Sequence, residues 1–449
     1  MFTSLGYHTF AISMSLTQEE ADILFGDFKR YRDNTGEICI MGPAKFDKDP
    51  SGRHYKIVYP NQNKGITWRI RFSSKGFFKN GEYITCTIKA IINPKILTGE
   101  KTYIVAADER YLEDVQRIFN REAKKISPML RRFENYSLNR IDYCINFDVS
   151  ELKFDYPHEL KNRLPEMIMT LIKQGNISRH FTEEYNDEKF QFYLRSDSMV
   201  INCYWKHDDL RRNFPDCKDL GDSFNIIRFE VQYKYPKIQS DLAKMKKEQG
   251  YRSSVLLGVL KKQGFYDYFS ENQDNMDCLR SAQLMKKFEA ACRKESRVMK
   301  GMLSDEKCGG AINKYYYKVI KKGNYYTFDA ARRIIEEKVS RWEKIVRLTE
   351  TLKMISNHEG IAKAKSTLQD EKLEEFQRSL RELSHLRINP VTIPKEWGID
   401  YIPNLLDNYY AMLAEEQDKK WEEKMNRQIL EDYIKRCKKE GRKRKKNKS

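Results

Sequence analysis

The sequence lacks the marks of several protein classes. Its nine cysteines include no C-x-x-C pair and no regular spacing, so we predict no disulfide framework and no zinc knuckle, and we expect a reducing compartment. The N-terminal stretch MFTSLGYHTFAISMS does not combine a basic start with an apolar run, which argues against a secretory signal. No apolar stretch is long enough to cross a bilayer, and there is no internal repeat. We therefore expect a soluble, cytoplasmic protein with no membrane partner.

What the sequence does contain is positive charge and enough apolar residues to build cores. The 449 residues carry a net charge of +18, with 40% hydrophobic and 12% aromatic residues, and this length suits two or three domains. Half of the excess charge lies in residues 434–449, where ten Lys or Arg accompany one Glu. A basic body with a basic tail favours a polyanionic partner, although such a tail is equally typical of a solvated extension.

Hydrophobic periodicity divides the chain near residue 240. Before it, strand patterns interleave with helical ones, and one helix start is marked by Thr17 and Glu20 at capping-box spacing. This half predicts an α+β domain over residues 1–240, with helices on one face of a sheet. After it the strand signals stop and long charged helical patterns follow. They predict a helical domain over residues 241–430, followed by a basic tail over residues 431–449.

Three strand patterns in the first half each place polar residues on one face. Side chains alternate across a strand, so residues two apart share a face. In RIDYCINF, VINCYWK and IRFEVQY, the polar faces include Arg140, Asp142, Asn202, Tyr204, Lys206, Arg228 and Glu230. Lys89 follows the same alternation in ITCTIKAI. If these strands share a sheet, the polar side chains come together.

This set of side chains suits attack on a phosphodiester. Two carboxylates, Asp142 and Glu230, can hold one Mg²⁺ or Mn²⁺, and Lys206 with the cation would stabilise the phenolate of Tyr204. Attack by Tyr204 on DNA would leave a phosphotyrosyl link and a free hydroxyl. A structural alternative stays open on these residues alone, with cross-strand ion pairs on a solvated face and a tyrosine that only packs.

Four blocks of the sequence carry a resemblance to a known family. They are CTIKAIINPKILTG, LNRIDYCINF, VINCYWKHDDL and NIIRFEVQYKYPKI, in this order along the chain. They resemble the I-K-A, R-I-D, Y-x-K-x-x-E-L and V-R-F-E blocks of the filamentous-phage gene-II proteins and the plasmid replication initiation factors. The resemblance covers residues 80–240. The His-hydrophobic-His metal pair of related relaxases is not present in the sequence, so the resemblance implies a variant with acidic ligands.

The resemblance implies an antiparallel-sheet nuclease domain of the relaxase and rolling-circle-initiator type, followed by a mainly helical C-terminal domain. It implies a metal-dependent nickase and strand transferase that starts rolling-circle replication in a bacterial host, with Tyr204 as the nucleophile and Lys206 as its partner. Asp142 and Glu230 would bind Mg²⁺ or Mn²⁺. Asp209 stands where the family has Glu, which leaves its role open. The residues expected to orient the acids or hold DNA phosphates are Arg140, Arg228, Lys89 and Asn202.

Two other functions are compatible with the same features. A conjugative relaxase would use the same chemistry at a transfer origin, and a non-enzymatic basic DNA-binding protein would keep the fold without the reaction. The expected partners are DNA, as a single-stranded or hairpin origin in a supercoiled replicon, and a host helicase. The helical domain is expected either to recognise the origin or to mediate dimerisation or docking.

Overall fold

The fold is that of a computed structural model of the chain. It describes residues 3–46, 49–60, 64–72, 76–78, 81–83, 86–100, 102–175, 182–186, 190–248, 299–419 and 425. The chain divides into two compact units. The first unit comprises Met1–Ser150 with Glu159–Ile320, and the second comprises Glu151–His158 with Lys321–Ser449.

The first unit mixes strands and helices along the chain. Its strands are β1 (Ser4–Leu16), β2 (Cys39–Phe46), β3 (Asp49–Val58), β4 (Ile66–Phe72), β5 (Gly76–Phe78), β6 (Gly81–Tyr83), β7 (Cys86–Ile92), β8 (Ser137–Asp148), β9 (Thr182–Asn186), β10 (Gln191–Arg195), β11 (Met199–Trp205) and β12 (Ile226–Lys234). Its helices are α1 (Gln18–Thr35), α2 (Pro94–Leu97), α3 (Leu112–Ile126), α4 (Leu164–Gln174), α5 (Lys206–Asn213), α6 (Tyr235–Glu248) and α7 (Asp305–Val319).

Ten of these strands form one antiparallel sheet. The order is β2-β3-β4-β7-β1-β8-β12-β11-β10-β9, and every neighbouring pair runs antiparallel. The predicted α+β class with a large antiparallel sheet is therefore confirmed. Strands β8, β12 and β11, which carry three of the four sequence blocks, are adjacent in the sheet, and the fourth block begins in β7.

One face of this sheet forms the core of the first unit. Trp68 of β4 packs between Phe28 of α1 and Phe119 of α3, with ring centroids 5.9 and 5.4 Å away. Farther along the same face, Tyr316 of α7 packs against Phe229 of β12 at 5.3 Å. All five side chains are fully buried, and each burial stabilises the fold by about 1.5–3 kcal/mol. The opposite face of the sheet carries the polar positions of β8, β11 and β12.

Helix α1 begins where the sequence predicts. The Thr17 hydroxyl accepts a hydrogen bond from the backbone N–H of Glu20 at 3.0 Å, and the Glu20 carboxylate accepts one from the backbone N–H of Thr17 at 2.9 Å. These two bonds form the predicted capping box. Because they satisfy donors that have no partner within the helix, losing such a cap costs about 1 kcal/mol.

The second unit combines helices with a small sheet. The helices are α8 (Phe328–Lys338), α9 (Trp342–Asn357), α10 (Ile361–Ser366), α11 (Asp370–His385) and a segment over residues 405–419. The strands β13 (Asn324–Thr327), β14 (Ile388–Ile393) and β15 (Tyr401–Ile402) form a sheet in the order β14-β13-β15. These strands lie beyond residue 240, where the sequence shows no strand signal. The three strands are short, and β14 is buried at every position, so it shows no alternation.

The first unit continues beyond residue 240, where the sequence predicts the end of the nicking domain. It runs to Ile320 because α7 packs on the core face of the sheet. The Tyr143 hydroxyl of β8 also donates a 2.6 Å hydrogen bond to the Met302 carbonyl oxygen just before this helix. The roles assigned to the two predicted domains stay predictions. In the part of the chain that the structure describes, no helix has the length and apolar character needed to span a membrane.

Candidate active site

A cavity of about 360 Å³ opens on the polar face of the large sheet. Six of the residues selected from the sequence line it: Arg140, Asp142, Tyr204, Lys206, Asp209 and Glu230. They come from β8, β11, α5 and β12, so the adjacency of these elements in the sheet is what brings the side chains together. The other three selected residues, Arg228, Lys89 and Asn202, are not part of the lining.

The register of the strands explains why these side chains lie close together. Tyr204 of β11 lies opposite Arg228 of β12, and Asn202 lies opposite Glu230. Directly opposed residues on antiparallel strands project to the same face, so the alternation read from the sequence carries across both strands. The apolar positions of β11, Ile201 and Cys203, are buried on the other side.

Tyr204 is joined to Glu230 by a hydrogen bond. The phenol hydroxyl donates to Glu230 Oε1 over 2.9 Å, and the tyrosine is only 6% exposed. Burial, followed by the charge of Glu230, raises the pKa of Tyr204 well above its usual value of 10, and the nearby Arg228 opposes this shift. Tyr204 is therefore held as a neutral phenol beside a carboxylate that can accept its proton.

Glu230 is itself a perturbed acid. Burial raises its pKa above the ordinary 4.5, while Arg228, Lys206 and the hydrogen bond from Tyr204 act in the opposite direction. A carboxylate with a raised pKa is a stronger base than an ordinary glutamate. Its environment therefore favours a proton acceptor beside the phenol.

Arg228 lies beneath the cavity and connects three parts of the site. It is 1% exposed, and its Nη1 is 3.6 Å from Glu230 Oε1. Its Nε donates to Asn146 Oδ1 of β8 at 2.5 Å, and its Nη2 donates to the carbonyl oxygen of Tyr103 at 2.6 Å. The guanidinium group thus offsets the negative charge of Glu230 and joins the Tyr103 segment to the sheet.

Lys206 reaches the cavity from a different element than predicted. The strand ends at Trp205, and Lys206 is the first residue of α5, yet its Nζ lies 5.6 Å from the centre of the Tyr204 ring. It also donates a 2.7 Å hydrogen bond to Asp209 Oδ2 one helical turn on. Burial and Arg228 lower the pKa of Lys206, and Asp209 raises it. Asp209, whose role the sequence leaves open, therefore holds the lysine in place and opposes the lowering of its pKa.

The two residues that follow Lys206 belong to helix α5 and pack within the protein. His207 lies in α5, with its Nδ1 2.9 Å from the carbonyl oxygen of Leu220 and its ring packed against Trp205. Asp208 is 3% exposed. Both belong to the packing of α5 and lie outside the cavity lining.

Asp142 is held on several sides. Arg140 pairs with both of its carboxylate oxygens, with Nε at 2.8 Å from Oδ1 and Nη2 on Oδ2. Gln232 Nε2 donates to Oδ1 at 2.8 Å, and the Thr9 hydroxyl donates to Oδ2. Arg140 is therefore in position to orient the Asp142 carboxylate, which is the role predicted for it.

Lys89 and Asn202 lie at the margin of the site. Lys89 of β7 is two residues from Ile91, which lines the cavity, so both project to the same face. Burial, together with Arg140 and Arg69, lowers the pKa of Lys89 to about 8. Asn202 has a buried Oδ1 without a hydrogen-bond partner.

A β-bulge in β1 brings two further side chains to the cavity. Tyr7 pairs with Tyr143 of β8, the next pairing is Thr9 with Asp142, and the register shifts between them. The rings of Tyr7 and Phe10 both lie on the core face, 5.9 Å apart. Two residues therefore fit between them on the opposite face, and His8 and Thr9 both line the cavity.

His8 is the site residue that strict alternation misses. Burial and the charges of Arg228, Lys206 and Arg140 hold the pKa of His8 well below its usual 6.5, so its imidazole is neutral and can donate or accept a hydrogen bond. The sequence does contain a signal for this bulge. Tyr7 and the next apolar residue, Phe10, are three positions apart, and this spacing interrupts the two-residue period of a regular strand.

The carboxylates fit a resident metal ion poorly. In the described ranges no group of three or more His, Cys, Asp and Glu side chains is arranged to hold one. Asp142 already accepts hydrogen bonds on both oxygens, and Glu230 accepts one from Tyr204. A hard cation needs about six oxygen ligands, and these acids would have to exchange their present partners. Binding of Mg²⁺ or Mn²⁺ by Asp142 and Glu230 stays a prediction of the resemblance.

Comparisons with known proteins add little to this geometry. No protein-family model matches the chain, and no curated protein matches it in sequence. A similar solved structure is a rolling circle replication initiator protein from Geobacillus stearothermophilus, which is 11% identical. The match covers 57% of this chain and 84% of that chain, with a TM-score of 0.25. A score this low does not establish a shared fold.

Proposed function

We propose that the chain is a tyrosine nickase that cuts one DNA strand at an origin and so starts rolling-circle replication of a phage or plasmid. The observation that carries the proposal is the 2.9 Å hydrogen bond from Tyr204 to Glu230 in a cavity that also holds Lys206 and His8. A nucleophile beside a base, with cationic groups for a phosphate, is the arrangement that phosphodiester attack requires.

The reaction would proceed by direct transfer of the phosphoryl group. Glu230 takes the phenol proton as Tyr204 Oη forms a bond to phosphorus, and the bond from phosphorus to the 3′ oxygen breaks. Lys206 gives a proton to this departing oxygen, and Arg228 and Lys206 offset the negative charge that builds up. The products are a 5′-phosphotyrosyl link and a 3′-hydroxyl primer. The same steps in reverse transfer the strand to a new 3′-hydroxyl.

The substrate is proposed from charge and from the sequence blocks. Residues 321–419 of the second unit contain 17 Lys or Arg and 17 Asp or Glu, so this region adds nothing to the net charge of +18. The attraction for a polyanion therefore comes from the first unit and the basic tail. We propose that the first unit binds the DNA that it cuts, and that the helical unit serves docking, either to a second copy or to a host helicase.

A nicking assay with two matched tyrosine variants tests the proposal. Supercoiled DNA of the replicon that encodes the chain is incubated with each protein and Mn²⁺. Tyr193 of β10 is half-buried and lies opposite Asn202, but it lines no part of the cavity. We expect Tyr204→Phe to lose open-circle product and Tyr193→Phe to keep it. If Tyr204→Phe forms as much open-circle product as an active Tyr193→Phe, Tyr204 is not the nucleophile.

The same assay separates the alternatives. If the wild-type protein binds the replicon without nicking it, the chain is a non-enzymatic DNA-binding protein. If it nicks a transfer origin and not a replication origin, it is a conjugative relaxase, which uses the same chemistry at a different site.

A further inference from the structure

Two aromatic rings form a stacked pair in the cavity wall. Tyr103 and Phe214 have ring centroids 5.0 Å apart and planes inclined by 19°. Both are half-buried and both line the cavity that contains Tyr204. Neither ring is used by the proposed chemistry. Aromatic side chains normally lie in the core, so a half-buried stacked pair in the wall of a cavity lined by charged side chains is suited to contact a ligand.

The backbone that carries each ring is tied to other residues of the site. The backbone N–H of Tyr103 donates to Asp219 Oδ2 at 2.7 Å, and its carbonyl oxygen accepts the 2.6 Å hydrogen bond from Arg228. Phe214 directly follows α5, the helix that begins with Lys206. Its backbone N–H donates a 2.7 Å hydrogen bond to the carbonyl oxygen of Leu210. Tyr103 is therefore hydrogen-bonded to Arg228 through its backbone, and Phe214 is joined to Lys206 through helix α5.

The chemistry around the pair indicates the kind of ligand. The same cavity holds the cationic side chains Lys56, Arg140 and Lys206, which suit a phosphate, while flat aromatic faces suit a planar ring. A ligand that carries both a phosphate and a planar ring within one residue length is a nucleotide. In duplex DNA the bases are stacked inside the helix and present only their edges, so an unpaired base is required.

We propose that the base of an unpaired nucleotide, next to the phosphate that Tyr204 attacks, stacks on the outer face of the Tyr103–Phe214 pair. This inference rests on the proposed function and assigns the two rings to the unpaired DNA expected at the cut. Stacking tolerates any base, so the pair supplies affinity and placement and leaves sequence recognition to other contacts.

Binding of a short single strand tests the pair without any need for nicking. The probe is a fluorescein-labelled oligothymidylate of about ten nucleotides, and the full-length protein carries Tyr204→Phe so that no covalent product forms. We expect Phe214→Leu to weaken binding about tenfold and Phe214→Tyr to restore it, because only the aromatic face matters. The salt dependence of binding should keep its slope, because the phosphate contacts are unchanged.

Two controls make the result specific. Phe154 and Tyr156 of the second unit form a comparable half-buried aromatic pair, 4.8 Å apart, and Phe154→Leu should bind as well as the parent. A probe of the same length made of abasic residues, which keeps the phosphates and lacks every base, should bind the parent and Phe214→Leu equally. An effect of Phe214→Leu below twofold, or an equal loss with the abasic probe, would overturn the proposal.

Failure of the stacking site can be distinguished from failure of the proposed function. Nicking by wild-type protein together with binding that ignores Phe214 would refute only the stacking site. Binding that depends on Phe214 without any nicking by the wild-type protein would refute the nickase and leave a site for single-stranded DNA.

Discussion

Tyr204 and Glu230 stand on neighbouring strands, β11 and β12, and the tyrosine hydroxyl donates a 2.9 Å hydrogen bond to the glutamate. The two residues are two positions out of direct register, since Tyr204 opposes Arg228. Because this contact is diagonal, Arg228 lies next to both Tyr204 and Glu230. The nucleophile and the guanidinium are therefore buried together, and the partly exposed acid contacts both of them.

Removing the base tests the role of Glu230. Glu230→Gln keeps the shape of the side chain and its contact with the phenol, but cannot take a proton. We expect nicking to fall by about 10²–10⁴-fold with little change in DNA binding. Because burial raises the pKa of Glu230 and the base acts when deprotonated, wild-type nicking should rise with pH through a value above 4.5. A pH–rate profile of Glu230→Gln that keeps this rise would contradict the assignment.

Asp209 is expected to set the charge of Lys206. Asp209→Asn removes the partner that raises the pKa of Lys206, so the lysine should lose its proton at a lower pH. Since the proposed role of Lys206 requires its charged form, the alkaline fall in the nicking rate should move to lower pH. Asp209→Glu is the matched control and should preserve most of the profile. Identical alkaline limbs in wild type and Asp209→Asn would show that Asp209 has no such role.

Lys89 is expected to lower the stability of the fold at neutral pH. Its pKa falls to about 8 in the folded chain, whereas an unfolded lysine titrates near 10.4. Between these values the unfolded state binds more protons, so stability rises with pH across this window. Lys89→Met should therefore raise the free energy of unfolding by up to about 3 kcal/mol at pH 7, and this gain should shrink towards pH 10.5. Urea unfolding at several pH values measures it.

A control separates burial of Lys89 from loss of positive charge. Lys56 lies at an exposed position of β3, and Lys56→Met removes the same charge without removing a buried group. Its stability difference from wild type, measured over the same pH range, shows what the loss of one positive charge does by itself. A constant difference for Lys89→Met across that window would contradict the prediction.

Much of the site could be predicted because it depends on a local pattern. The alternation of Tyr204 and Asn202 along β11, and of Arg228 and Glu230 along β12, is fixed by strand geometry. Once the strands are adjacent and in register, the polar faces must coincide. Lys206 is a partial exception, since it reaches the same cavity from the start of a helix.

The remaining features depend on contacts that a local pattern does not encode. His8 enters the cavity through a bulge that breaks the two-residue period. Tyr103 comes from a segment held over the sheet by Arg228, 125 positions away in sequence. The strands of the second unit are short, and β14 is buried throughout, so no alternation marks β14 in the sequence.

Chemical identification of the covalent product decides whether Tyr204 is the nucleophile. The protein is reacted with an origin oligonucleotide labelled on the 3′ side of the cut, the DNA is trimmed with nuclease, and the modified peptide is sequenced by mass spectrometry. The account predicts a nucleotide 5′-phosphate on Tyr204 and a free 3′-hydroxyl on the other DNA fragment. A nicked product without a protein adduct, or an adduct on a different residue, would contradict it.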